Sequence, residues 1–182
     1  MVSAISFGAM PPRARYISEN LIIGPKQGIS SLRQLRDEEY IGQVIDLRNG
    51  RYLRRLREFL VCKFLGIKYR SCPMTIGDRA PLQPEKFEQI HSIINENHNG
   101  RTYLHCNSGV HRSLLVGAFE KIKSGEIKSF GDLAEFLKNG RYFDLRKKVR
   151  FGVKVPLSPV DIRYRTENLR YQMQSFWNMV NK

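Results

Sequence analysis

Hydrophobic and polar positions along the chain change period several times. Short β-rich runs occur at 16–17, at 21–23 just before Gly24, at 43–47, at 67–71 and at 102–106. They are compact, rich in Ile, Val, Leu and Tyr, and bounded by turn residues, as half-buried or buried strands are. Between them the apolar residues recur every three or four positions. Residues 51–60 put Leu53, Leu56 and Leu60 on one side, with arginines around the remainder. That pattern predicts a basic amphipathic helix that packs its leucines on the sheet, with membrane-surface or RNA binding as the alternative use of the face. Residues 83–94 predict a second helix, with Pro84 at its first position, Phe87, Ile90 and Ile94 on one face, and an end near Asn99-Gly100. Further helices are predicted over 112–123, over 129–140 with Ser129 as N-cap, and over 159–180, where Ile162, Leu169, Met173, Phe176 and Val180 are the apolar positions.

Strands alternating with helices imply crossover connections. The expected fold class is α/β, with a central, largely parallel twisted sheet flanked by helices. Ligands of such sheets bind beyond the carboxyl ends of the strands, and the strand ending at Cys106 points at such a place. With 182 residues, no internal repeat and no low-complexity tract, the chain reads as a single domain. Its core spans about 16–138, and a basic segment with a C-terminal helix occupies 139–182.

Composition narrows the partners. The chain carries 31 Lys and Arg against 17 Asp and Glu, a formal charge of +14. Residues 48–70 hold eight basic side chains against the single acid Glu58, and 141–182 hold ten against three. Phosphorylated proteins, RNA and anionic lipid all suit such patches, and a solvated face is the alternative. No run approaches the length of about 20 apolar residues needed to span a membrane, and the first residues lack the basic start of a secretory leader. The three cysteines, Cys62, Cys72 and Cys106, form no paired metal-binding spacing. A reducing cytoplasm is the expected location, with neither a metal nor a cofactor required.

The chemistry is concentrated in one segment. After the strand at 102–104 the chain reads His105-Cys106-Asn107-Ser108-Gly109-Val110-His111-Arg112-Ser113 and enters a helix. In a strand, tight loop and helix start, successive backbone N–H groups can curl around an anion while the positive end of the helix dipole is aimed at the same point. Gly109 supplies the backbone freedom for the curl. In that nest Cys106 would favour the thiolate, and Arg112, six positions on, would hold two phosphoryl oxygens with its planar fork.

This HCxxGxxRS run resembles the signature of the protein tyrosine and dual-specificity phosphatases, matching at every signature position. The resemblance implies a compact, intracellular cysteine-dependent phosphatase acting on phosphotyrosine and on phosphoserine or phosphothreonine in proteins. Its thiolate attacks phosphorus to give a phosphocysteine, which water then hydrolyses. By that resemblance Asn107, Ser108, Gly109, Val110, His111 and Arg112 form the phosphate-binding loop, Arg112 and the loop amides stabilise the transition state, Ser113 helps the sulfur leave, and His105 organises the loop.

Such a reaction needs a proton donor on a separate loop. Asp78, between the strand at 67–71 and the helix from Pro84, lies 28 positions before Cys106 and is the acid in the expected loop; Asp46, Asp132 and Asp144 are poorer candidates. A local turn role for Asp78 is its competing use. Two other functions remain open: an RNA 5′-triphosphatase of the same superfamily, and a phosphate-binding module without catalysis. The segment RKKVRFGVKVPLSP reads either as a substrate or partner arm or as a surface crossover. Cys62 and Cys72 are expected in the core, with protection of an oxidised Cys106 as the alternative.

Overall fold

The structure, a computed structural model, is described over residues 10–11, 13–49, 52–75, 82–97, 99–140, 148–150, 153–155 and 159–181; the side chains of 52, 54 and 148–166 are not discussed. Among the described residues, seven strands and six helices follow in the order β1 (Arg15–Ser18), β2 (Leu21–Pro25), α1 (Ile29–Glu39), β3 (Ile41–Asp46), α2 (Tyr52–Phe64), β4 (Lys68–Ser71), α3 (Pro84–Asn95), β5 (Arg101–Cys106), α4 (Arg112–Lys123), α5 (Phe130–Asn139), β6 (Lys148–Arg150), β7 (Val153–Val155) and α6 (Pro159–Val180). The five-stranded sheet has the order β1-β2-β5-β3-β4. Its β2–β5, β5–β3 and β3–β4 pairs are parallel and only the edge strand β1 is antiparallel. The largely parallel sheet expected from the alternation is present.

Register explains how one sheet supports two cores. Ile22 pairs with Tyr103 and Tyr103 with Val44, forming one row across three strands. The next row is Ile23, Leu104 and Ile45. Because successive strand residues face opposite sides, the first row packs with Leu32, Leu35 and Cys62 under α1 and α2. The second packs with Phe87, Leu115, Phe119 and Phe176 under α3, α4 and α6. On that side Phe87 lies 5.4 Å from the rings of both Phe119 and Phe176, which ties α6 to α3 and α4.

Local signals account for several boundaries. Pro84 opens α3 as expected, but the helix ends at Asn95, short of Asn99-Gly100. The amide of Asn97 bonds to Ile94, and the Asn97 side chain turns to the Gly100 carbonyl and the Thr102 hydroxyl, diverting the chain into β5. At α5 the Ser129 hydroxyl accepts from the Asp132 amide, and the Asp132 carboxylate returns to the Ser129 amide in a capping box. Helix α1 has no counterpart among the helices named from sequence; Leu32 and Leu35 bury it on the face that carries Val44. In the tail, β6 and β7 form a two-stranded antiparallel pair, where sequence offered only an arm or a crossover.

One expectation is corrected. Leu53 and Leu60 do not pack on the sheet: they are 73% and 54% exposed, and Leu56 is half-buried. The buried face of α2 is instead Glu58 and Cys62, continued by Leu65. Apolar residues lie on both sides of this helix, so spacing alone leaves its rotation open. In the folded chain the inward face carries Glu58, paired with the buried Arg48, together with Cys62, and the pairing offsets the cost of burying the carboxylate.

Candidate active site

Parallel pairing brings the carboxyl ends of β2, β5, β3 and β4 to one edge, and the segment after β5 turns there. Backbone contacts from two neighbouring strand ends hold it. Lys26 N–H donates to the Asn107 carbonyl, and Leu47 N–H donates to the His105 carbonyl at 2.9 Å. Gly109 has φ +75°, and a Cβ there would lie 2.5 Å from the Pro25 nitrogen and 2.7 Å from the Gly24 carbonyl carbon. The loop therefore curls against the β2 terminus only with glycine at 109.

The curl is directed inward. The Gly109 N–H points at Cys106 Sγ at 3.3 Å, and the Ser113 hydroxyl lies 3.4 Å from the same sulfur. Cys106 is 2% exposed. Burial alone would raise its pKa, but hydrogen bonds from the Ser113 hydroxyl and from the amides of Ser113, Gly109 and His111 more than offset it, so the thiol lies below its ordinary value. The other two cysteines behave oppositely: burial, reinforced by Glu58 and Asp46, pushes Cys62 up to about 12, and burial likewise raises Cys72. All three are free thiols, and the environment favours the thiolate at 106 alone among them.

Arg112 begins α4 and is half-buried. Its Nη1 donates to the Leu47 carbonyl at 2.9 Å and the Met74 carbonyl at 3.5 Å, so the segments following β3 and β4 aim the guanidinium. Of the loop residues expected to bind phosphate, Gly109 and His111 direct their amides at the sulfur and Val110 is buried, whereas the Asn107 side chain is exposed and Ser108 and His111 are half-buried. Asp78 lies outside the described residues, as does Asp144. Asp46 is unsuited to proton donation: it is fully buried, its carboxylate accepts from Arg48 Nε at 2.8 Å, Arg48 Nη2 at 2.7 Å and Tyr69 Oη at 2.8 Å, and it is held below the usual carboxylate range. Burial, the largest single influence, works against that ionised state, and the bonds from Arg48 and Tyr69 together with the charge of His105 outweigh it. Asp132 caps α5.

Beneath the loop lies a charged cluster that sequence reasoning did not find. His105 Nδ1 donates to the Cys106 carbonyl at 3.2 Å, and its Nε2 is 2.9 Å from Glu58 Oε1, close but off the line of a hydrogen bond. Arg48 bridges Glu58 and Asp46. The ligand atoms of Asp46, Glu58 and His105 lie within 4.8 Å of one another, a spacing that also suits a metal ion. The Arg48 guanidinium pairs with both carboxylates, while Glu58 Oε1 and His105 Nε2 face each other without a hydrogen bond. The signal available in the sequence was Glu58 itself, a lone acid among eight basic residues over 48–70.

No family model and no curated protein match the chain. Solved structures do. The core catalytic domain of the PP-IP phosphatase SIW14 from S. cerevisiae is similar with a TM-score of 0.60 and 14% identity, over 93% of this chain and 96% of that one. TpbA of P. aeruginosa gives 0.59 and 15% identity over 100% of both chains. PTPMT1 gives 0.56 and 15% identity over 88% and 96%. The chain shares the fold of these solved structures.

Proposed function

We propose that the chain is a cysteine-dependent phosphatase that hydrolyses phosphate monoesters through a phosphocysteine intermediate, with phosphorylated side chains of proteins as substrates. The observation that carries this reading is the convergence of the Ser113 hydroxyl and the amides of Gly109, His111 and Ser113 on the Cys106 sulfur. The same donors that stabilise a thiolate lie where equatorial phosphoryl oxygens would be held.

In this mechanism Cys106 Sγ attacks phosphorus as the ester oxygen departs, and Asp78 gives that oxygen its proton. Arg112, oriented by the Leu47 and Met74 carbonyls, turns its remaining N–H groups to the phosphoryl oxygens. Water then cleaves the phosphorus–sulfur bond, and Ser113 donates to the leaving thiolate across the 3.4 Å contact. His105 positions the loop through the Cys106 carbonyl. SIW14 is a PP-IP phosphatase, so a substrate outside proteins belongs in the test.

The test is a panel of p-nitrophenyl phosphate, phosphopeptides, phosphoinositides and triphosphate-ended RNA, run beside Cys106→Ser. Phosphopeptide turnover lost in Cys106→Ser supports the reading. Activity unaffected by the substitution overturns the mechanism, and turnover confined to triphosphate RNA replaces the substrate class. Asp78→Asn should slow poor leaving groups most; an equal loss for all substrates would remove Asp78 as the acid.

A further inference from the structure

Helix α2 presents a second surface with no part in the proposed chemistry. At 3.6 residues per turn, Leu53, Leu60 and Phe64 fall within about 40° of one another, and their mean direction is about 160° from the buried pair Glu58 and Cys62. They are 73%, 54% and 80% exposed, an outward apolar stripe along the whole helix. Arg57 and Lys63 are exposed on its two flanks, and Lys68 and Arg70 follow on β4 with exposed side chains. The single acid of 48–70, Glu58, is turned inward to Arg48. Among the described residues Arg57 and Lys63 take part in no ion pair, so the stripe is bordered by positive charge.

From this pairing of apolar stripe and basic flanks we infer that α2 is a docking surface for an anionic lipid bilayer, with Leu53, Leu60 and Phe64 entering the interface and Arg57 and Lys63 at headgroup level. Three observations select this occupant. Charge complementarity requires a negative partner, and a second copy of the chain would set basic flank against basic flank. Single-stranded RNA is held in a basic groove with aromatic side chains for successive bases, whereas this convex stripe offers two leucines and a single ring, that of Phe64. An exposed helix with a leucine and phenylalanine face between arginines and lysines has the composition of interfacial helices.

A cleft of about 250 Å³ between α1 and α2 adds to the case; Lys26, Gln27, Ile29, Arg57, Glu58 and Val61 line it. Ile29 is 47% exposed and extends the apolar surface beyond Arg57. Lys26 and Arg57 offer two cations to a headgroup phosphate there, and the Glu58 charge is already met by Arg48. Docking in this way would set the bilayer beside the carboxyl edge of the sheet, because α2 starts just beyond β3, whose following residue Leu47 orients Arg112. The inference concerns attachment and stands apart from the hydrolysis.

Cosedimentation tests it, using the full chain with vesicles of phosphatidylcholine alone and of an equal mixture with phosphatidylglycerol. Binding should be confined to the mixed vesicles and weaken at high salt. The triple variant Leu53→Ser, Leu60→Ser, Phe64→Ser should reduce it by about tenfold or more. Hydrolysis of p-nitrophenyl phosphate and thermal stability serve as folding controls for the triple variant. Arg57→Glu with Lys63→Glu is a second, independent loss-of-binding variant that leaves the apolar stripe intact. Equal binding to both vesicle types, no binding to the mixed vesicles, or mixed-vesicle binding undiminished in both variants would overturn the inference. A dimer in sedimentation that depends on the stripe, without vesicle binding, would assign the face to a second copy and overturn it equally.

Discussion

Replacing Ser113 by alanine removes one of four donors to the Cys106 sulfur and leaves the amides of Ser113, Gly109 and His111 in place. A hydrogen bond to an ionised group contributes about 1.5–3 kcal/mol, and one pH unit of pKa corresponds to about 1.36 kcal/mol. The thiol pKa should therefore rise by about one to two, and the 3.4 Å separation favours the lower end, about one. Because the ionised form is the one stabilised, the variant holds less thiolate at neutral pH. The linked effect on stability has a definite sign. The folded pKa lies below the unfolded value of about 8.5, so these bonds contribute stability that is full above that pH and lost as the pH falls through the folded pKa. Ser113→Ala should thus lose more stability at alkaline than at acid pH. The assay is alkylation by iodoacetamide as a function of pH, read residue by residue by mass spectrometry. Cys62, pushed up to about 12, is the internal unreactive reference. A variant profile for Cys106 that superimposes on the wild type would refute the claim that this hydroxyl stabilises the thiolate.

The remaining predictions concern the frame around the sulfur. Glu58→Ala leaves Arg48 buried with one partner and should cost about 3–5 kcal/mol in chemical denaturation; an unchanged urea midpoint would remove the cluster as a structural element. Gly109→Val forces a branched side chain into a φ of +75° against the backbone of Pro25, so hydrolysis should fall by a factor of a hundred or so and stability by about 1–3 kcal/mol; retained activity would count against the tight curl. Phe176→Ala empties a fully buried site against Phe87 and should cost about 3–5 kcal/mol in a thermal melt; a negligible loss would show that α6 is peripheral to the core.

How much was legible in the sequence follows from the range over which each signal acts. The strand, glycine loop and helix around Cys106 were readable because the donors to the sulfur come from residues within seven positions of it. Ser129 could be read as a cap because the Asp132 amide it binds is three residues away. The Arg48 bridge to Glu58, the Leu47 and Met74 carbonyls on Arg112, and the rotation of α2 were not readable. Each depends on which strand ends become neighbours, and the order β2-β5-β3-β4 is decided only when the chain closes on itself.

Helix α2 marks the division most clearly. The sequence by itself determined that residues 51–60 would be helical, basic and apolar on one side, because spacing and composition are local. Which side faced inward was decided by tertiary structure. The inward face carries Glu58 beside Arg48 and His105, where pairing with Arg48 offsets the cost of burying its charge, together with Cys62 and Leu65, and this leaves Leu53 and Leu60 on the surface.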